Sequence, residues 1–186
     1  MRFATVLRTS SIVASYGLIW VASVDGQEPR PEPAPVSEIK PLAADVESID
    51  GMIIAFYDVI SGPSDEPRQW DRDATLYPPN VQFTPTGVNS EGQIYGHLIA
   101  KQEFIDRADS YLVESGFVER EIHRVTRRFG NVADVASTYE WTTEDGATGR
   151  GVNFIHLFHD GARWWITHAT WDSERADNPI PAEFLP

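Results

Sequence analysis

His123, Thr138, Asn153 and His168 are spaced so that a sheet folded on its own turns would bring them together. Four runs, roughly 118–129, 132–143, 148–159 and 162–172, are separated by Gly130-Asn131, Asp145-Gly146 and Asp160-Gly161. Such dipeptides tolerate the positive φ of two-residue hairpin turns. Closing each hairpin on its dipeptide sets the four residues side by side in one row on one face. The next row, Val125, Ala136, Ile155 and Ile166, is apolar, and beyond it Leu157 faces Trp164. On the other side lie Glu121, Glu140, Gly151 and Thr170. A few convergent polar groups beside an apolar interior are the pattern of a small-molecule pocket.

In that pocket His123 is suited to general-base work, because imidazole titrates near neutrality. Asn153 and His168 are suited to orient a carbonyl or stabilise an oxyanion, with Thr138, Glu140 and Trp164 completing the substrate wall. The same row also reads as a structural network in which His123 is satisfied by Thr138 and Asn153 by His168. His156 and His159 resemble a metal pair, but residues three apart on a strand point to opposite faces, so no metal site is expected. His97 follows Gly96 at a strand end and reads as a surface residue. Arg124, Arg127 and Arg128 read as a solvated, charge-paired strand, with Arg127 opposite Asp134.

The elements that must carry these residues follow from periodicity. Val46, Ile49, Ile53, Phe56 and Ile60 recur at helical spacing, predicting an amphipathic helix over 42–61 that ends at Ser61-Gly62-Pro63. A short helix over 67–77 is stopped by Pro78-Pro79. Residues 81–86 and 93–99 read as a strand pair across the turn VNSEG, and 101–115 as a third helix stopped by Gly116. Helices followed by an antiparallel meander make an α+β arrangement.

The chain has 186 residues, 41% of them hydrophobic, enough for one ordinary domain. A formal charge of −13 argues against nucleic acid and acidic membranes as partners. With no cysteine, disulfides and thiol chemistry are excluded. There is no Gly-rich phosphate loop, nucleophile elbow or HExxH helix. Arg2 and Arg8 precede the apolar run Ile12–Ala22, which has signal-peptide anatomy, so residues 1–26 read as a signal peptide and the protein as exported, periplasmic or secreted, with no stable membrane span after cleavage. Residues 27–41 hold five prolines and read as a linker, and the folded domain, 42–186, begins near Leu42.

The opposite sheet face carries Ile122, Tyr139, Val152 and Ala169 in one row and Arg120, Trp141, Arg150 and Trp171 in another, with Phe154 and Trp165 nearby. That is more aromatic surface than a solvated sheet leaves bare. It predicts a homodimer through Trp141, Arg150, Phe154, Trp165 and Trp171, the other reading being cover by the linker or by the C-terminal NPIPAEFLP.

The order helix, helix, hairpin, helix, four-stranded meander resembles the nuclear transport factor 2-like superfamily, in particular its SnoaL-like and ketosteroid-isomerase-like members. The resemblance covers about 42–172 and rests on the helix Ile49–Ile60, EREIHRVTRRFGNVADVASTYEW and GVNFIHLFHDGARWWITHATW. It implies a cone-shaped α+β barrel, a curved antiparallel sheet wrapped around helices, holding a small, largely apolar molecule, and often a dimer through the outer sheet face. It further implies cofactor-free isomerisation, dehydration or elimination, with His123 at a position able to hold a catalytic histidine and Tyr57 pointing into the cone as a hydrogen-bond donor. The carboxylate expected just after the first helix would fall at Ser61-Gly62, leaving Glu121 or Glu140 to supply it. The reading from another class is a non-catalytic ligand-binding or dimerisation scaffold.

Overall fold

The computed structural model describes residues 39–186. The signal-peptide reading of 1–26 and most of the expected linker lie outside them. The first predicted helix is two, α1 (Ala43–Val46) and α2 (Ile49–Asp58). Ser48 breaks the run, because its extended backbone and side chain, which accepts from the Gly51 N–H at 3.0 Å, make it the N-cap of α2. α3 is short, Trp70–Ala74. The hairpin strands are β1 (Gln82–Val88) and β2 (Ile94–Gly96), followed by β3 (Ile99–Ala100) and α4 (Lys101–Ser115). Gly116 ends α4 in the left-handed conformation, φ 61°, which costs glycine no Cβ clash. The meander is β4 (Val118–Phe129), β5 (Val132–Thr142), β6 (Thr148–His159) and β7 (Trp164–Ser173).

These strands form one curved sheet in the order β2-β1-β7-β6-β5-β4, with β3 also paired to β1. It does not close into a barrel. The meander is antiparallel, whereas β1 runs parallel to β7. Parallel pairing requires a crossover, and α4 supplies it. Its 15 residues span about 22 Å at 1.5 Å per residue. That suffices for the roughly 19 Å between β1 and β4 at about 4.8 Å per strand step. Met52, Ile53, Ala55 and Val59 of the α2 segment are buried with Val135, Ile155, Leu157, Ile166 and Ala169 of the sheet in one apolar cluster.

The strand register differs from the expected one at four places. Gly130-Asn131 is a two-residue turn, and His123 does lie opposite Thr138. A bulge at Ile122 then turns the chain, so Glu119 and Glu121 stay on the inner face while His123 goes to the outer one. Between β5 and β6 the turn is not the dipeptide Asp145-Gly146 but the loop 143–147, closed by Thr143 N–H to Ala147 O and Gly146 N–H to Thr143 O. An odd-length loop slips the register by one residue, which exchanges the two faces of β5. Asn153 thus faces Ser137, not Thr138. Between β6 and β7 the Asp160 carboxylate accepts from the N–H groups of Ala162 and Arg163, making a four-residue loop after His159. A second bulge, at Thr167, leaves Trp164 and Ile166 inside but sends His168 out and brings Ala169 and Trp171 in.

The outer face is partly covered by the C-terminal tail. Thr138 donates to the Phe184 carbonyl at 2.6 Å, the Phe154 and Phe184 rings meet edge to face at 5.8 Å, and Ile180 is buried. Of the aromatic surface expected to face a second subunit, Trp141 and Trp171 instead pack on the inner face beside Phe117 and Phe104.

Candidate functional site

Between α4 and the inner face of the sheet lies a cavity of about 310 Å³. Phe56, Phe104, Ala108 and Tyr111 close it from the helical side, and Phe83, Tyr139, Trp141 and Trp171 from the sheet. The rings interlock: Phe104 meets Phe83 at 5.5 Å and Trp171 at 5.9 Å, and Phe117 stacks on Trp141 at 5.8 Å. Into this apolar space project the carboxyls of Asp73 and Glu119, the side chains of Asn153 and Ser173, and the phenols of Tyr77 and Tyr139.

Glu119 is the unusual group. Burial among these rings pushes its pKa up to about 8, and a hydrogen bond with the Asn153 amide only partly opposes that rise. The carboxyl is therefore mostly protonated at neutral pH, able both to donate a hydrogen bond and to give up its proton. Asp73 is also raised by burial, but Lys101, 2.8 Å away, and Tyr77 favour its ionised form. Burial likewise pushes Tyr139 up to about 12.

Behind Asn153 a relay leads out of the cavity. Asn153 Nδ2 donates to the Tyr57 hydroxyl at 3.1 Å, the Tyr57 and Ser137 hydroxyls lie 2.7 Å apart, and Ser137 donates to Glu121. Glu121 is gripped by both arms of Arg124, at 2.8 and 2.6 Å, and Arg124 also reaches Asp50. Because an ionised carboxylate only accepts, this pairing fixes every donor direction back to Asn153. Glu121 and Arg124 meet on one face of a strand although three residues apart, which the bulge at Ile122 makes possible.

Of the residues selected from sequence, Tyr57 and Asn153 are brought together at this wall, with Glu121 at the end of their relay. His123 and Thr138 are on the outer face, Thr138 bonded to the tail. Glu140 pairs with Arg120 on that face. His168 lies opposite His156, their rings stacked at 6.0 Å, and burial followed by the neighbouring His156 lowers its pKa. His156 holds Asp134 at 3.1 Å, while the His159 ring packs on Trp164. Trp164 is buried core capped by Arg128, whose guanidinium lies 4.9 Å from the indole ring. The row expected from the turns is not formed, for the reasons of register above. Sequence reasoning missed Glu119, Asp73 and Tyr139. The signal for Glu119 was present, since alternation puts it on the face of Glu121.

Element order, sheet path and curvature now fix the architecture. The described residues form an α+β fold with an open, curved sheet, and its solved neighbours include proteins called NTF2-like and cystatin-like. No family model and no curated protein matches the chain. Among solved structures it is similar to a protein with a cystatin-like fold from Caulobacter vibrioides, at 14% identity over 69% of this chain and 89% of that one, TM-score 0.48. An NTF2-like protein of unknown function from Shewanella baltica is 13% identical over 69% and 98% of the two chains, TM-score 0.39. The CaMKII hub from S. rosetta is 18% identical over 66% and 87%, TM-score 0.41. At these identities the likeness carries nothing about activity.

Proposed function

We propose that the protein holds one small, largely apolar molecule in the cavity and exchanges a proton with it through Glu119. The observation that carries this reading is a carboxyl with a pKa of about 8 facing an aromatic-lined space of about 310 Å³. A group that titrates near the working pH is suited to general acid and base steps. Cofactor-free isomerisation, dehydration or elimination remains the reaction class, with Glu119 in the part first given to His123 and with Asn153, ordered by Tyr57, positioning it. Export stays part of the proposal and rests on residues 1–26 alone. Self-association through the outer face would use Phe154, Phe158 and Trp165, which retain exposed or half-buried surface there.

Mass spectrometry of small molecules released from protein purified without added ligand tests the reading. The wild type and His123→Ala should release the same compound, because His123 is outside the cavity. Ala108→Trp, which fills the cavity, should release none. Loss of the compound in the histidine variant, or its retention in the tryptophan variant, would move the site elsewhere.

A further inference from the structure

The lining of the cavity contains two carboxyls, Asp73 and Glu119, and no lysine, arginine or histidine. Asp73 has its counter-charge in Lys101. Among the described residues Glu119 has no ion-pair partner. Its surroundings offer none from any side. Tyr57 faces it from α2, Tyr139 from β5 and Asn153 from β6, and Glu121 lies two residues away on its own strand. Of the β4 guanidiniums, Arg120 pairs with Glu140 on the outer face, and Arg124, on the inner face, is committed to Glu121 and Asp50. An anionic molecule would meet this wall with nothing to neutralise it.

What surrounds Glu119 is aromatic. Trp141 is its direct cross-strand partner, Phe117 is stacked on Trp141, and both line the cavity with Glu119. Ring faces attract organic cations through their quadrupole, indole most strongly, and a desolvated carboxylate adds a full charge. We infer that the molecule this cavity takes is a small organic cation, a protonated or quaternary amine, with Glu119 as its counter-ion and the surrounding aromatic rings as its walls. The inference rests on the cavity being a small-molecule site and names the ligand class of that site. A neutral amine can enter the same state: its nitrogen forms an N–H bond as the Glu119 O–H bond breaks, giving ammonium and carboxylate with no other reactant. A quaternary amine binds by displacing the Glu119 proton to solvent.

The test compares phenyltrimethylammonium with its neutral isostere tert-butylbenzene, followed by tryptophan fluorescence between pH 6 and pH 9. The ammonium should bind at least about tenfold more tightly than the isostere at pH 9. Its affinity should fall by nearly tenfold per pH unit below about pH 8, as the Glu119 proton competes, while that of tert-butylbenzene stays level. Glu119→Gln should remove both the preference for the cation and its pH dependence while still binding tert-butylbenzene, which also reports an intact fold. If tert-butylbenzene binds and the ammonium is no tighter at pH 9, the cation inference is overturned and the small-molecule reading survives. If neither binds, the small-molecule reading fails and the inference fails with it. The wild-type pH series is decisive without any variant.

Discussion

The hydroxyls of Tyr57 on α2 and Ser137 on β5, eighty residues apart, lie 2.7 Å from one another in the buried core. Ser137 gives its only proton to Glu121, so Tyr57 must be the donor of the pair and, in turn, the acceptor for Asn153. One phenol therefore joins the central helix to two strands and holds the amide that touches Glu119.

Tyr57→Phe removes the middle of that chain and leaves the Asn153 amide short of a partner in a buried place. A loss of about 1–3 kcal/mol is expected, the usual cost of a buried polar group left unsatisfied. Urea denaturation of Tyr57→Phe, Ser137→Ala and the double variant forms a cycle. The two losses should be strongly non-additive, and simple additivity would mean the hydroxyls do not act as a pair.

The raised pKa of Glu119 has a sign that stability measurements can read. Its folded value, about 8, lies above the ordinary 4.5 of an unfolded chain. The folded state holds the proton more tightly, so this contribution is fully present below the unfolded pKa and is lost as pH rises through the folded one. Between those limits the slope is up to about −1.4 kcal/mol per pH unit. The stability of Glu119→Gln should therefore gain on that of the wild type from pH 5 to pH 8. A constant difference across that range would show that the carboxyl is not shifted.

Gly151 is opposite Tyr139, where an added Cβ would come within 2.2 Å of the phenol oxygen and 2.4 Å of the Asp172 carbonyl. Gly151→Ala must push Tyr139 toward the cavity or shift β7. It should cost about 1–3 kcal/mol, as overpacking does, and should weaken retention of the bound molecule. Thermal denaturation and the release assay check the two effects, and an unchanged midpoint would show that the strands have slack at this position.

The helices, the four meander strands and the α+β class were legible because periodicity and glycine-bearing turns report local chemistry. Gly116 and Gly130 do what their residue type suggested. Register was harder, because it depends on how many residues a loop takes up. Asp145-Gly146 and Asp160-Gly161 announce turns, yet Gly146 sits inside a five-residue loop, 143–147, and Asp160 opens a four-residue one. The bulges at Ile122 and Thr167 leave no mark in the hydrophobic pattern. Tyr57 was legible as a residue bordering the buried face of a helix whose register turns cannot alter. Asn153 was legible because β6 kept its expected faces. His123 and His168 each lie just beyond a bulge, and for that reason the expected row failed at both ends.

The bulge at Ile122 also bears on how relatives of this chain could diverge. Deleting that single residue would place Glu121 and His123 on consecutive partners, Tyr139 and Thr138, and restore strict alternation along β4 with every other side chain on its present face. Closing the bulge with Ile122 kept in the ladder would instead slip one side of the strand by a residue: His123 would take the inner position now held by Arg124, or Glu119 and Glu121 would turn outward, depending on which side kept its pairing. A one-residue slip in pairing is thus enough to add an imidazole to this face or to take its carboxyls away, so two chains with the same fold can differ in ligand charge without a single substitution among the cavity's aromatic residues.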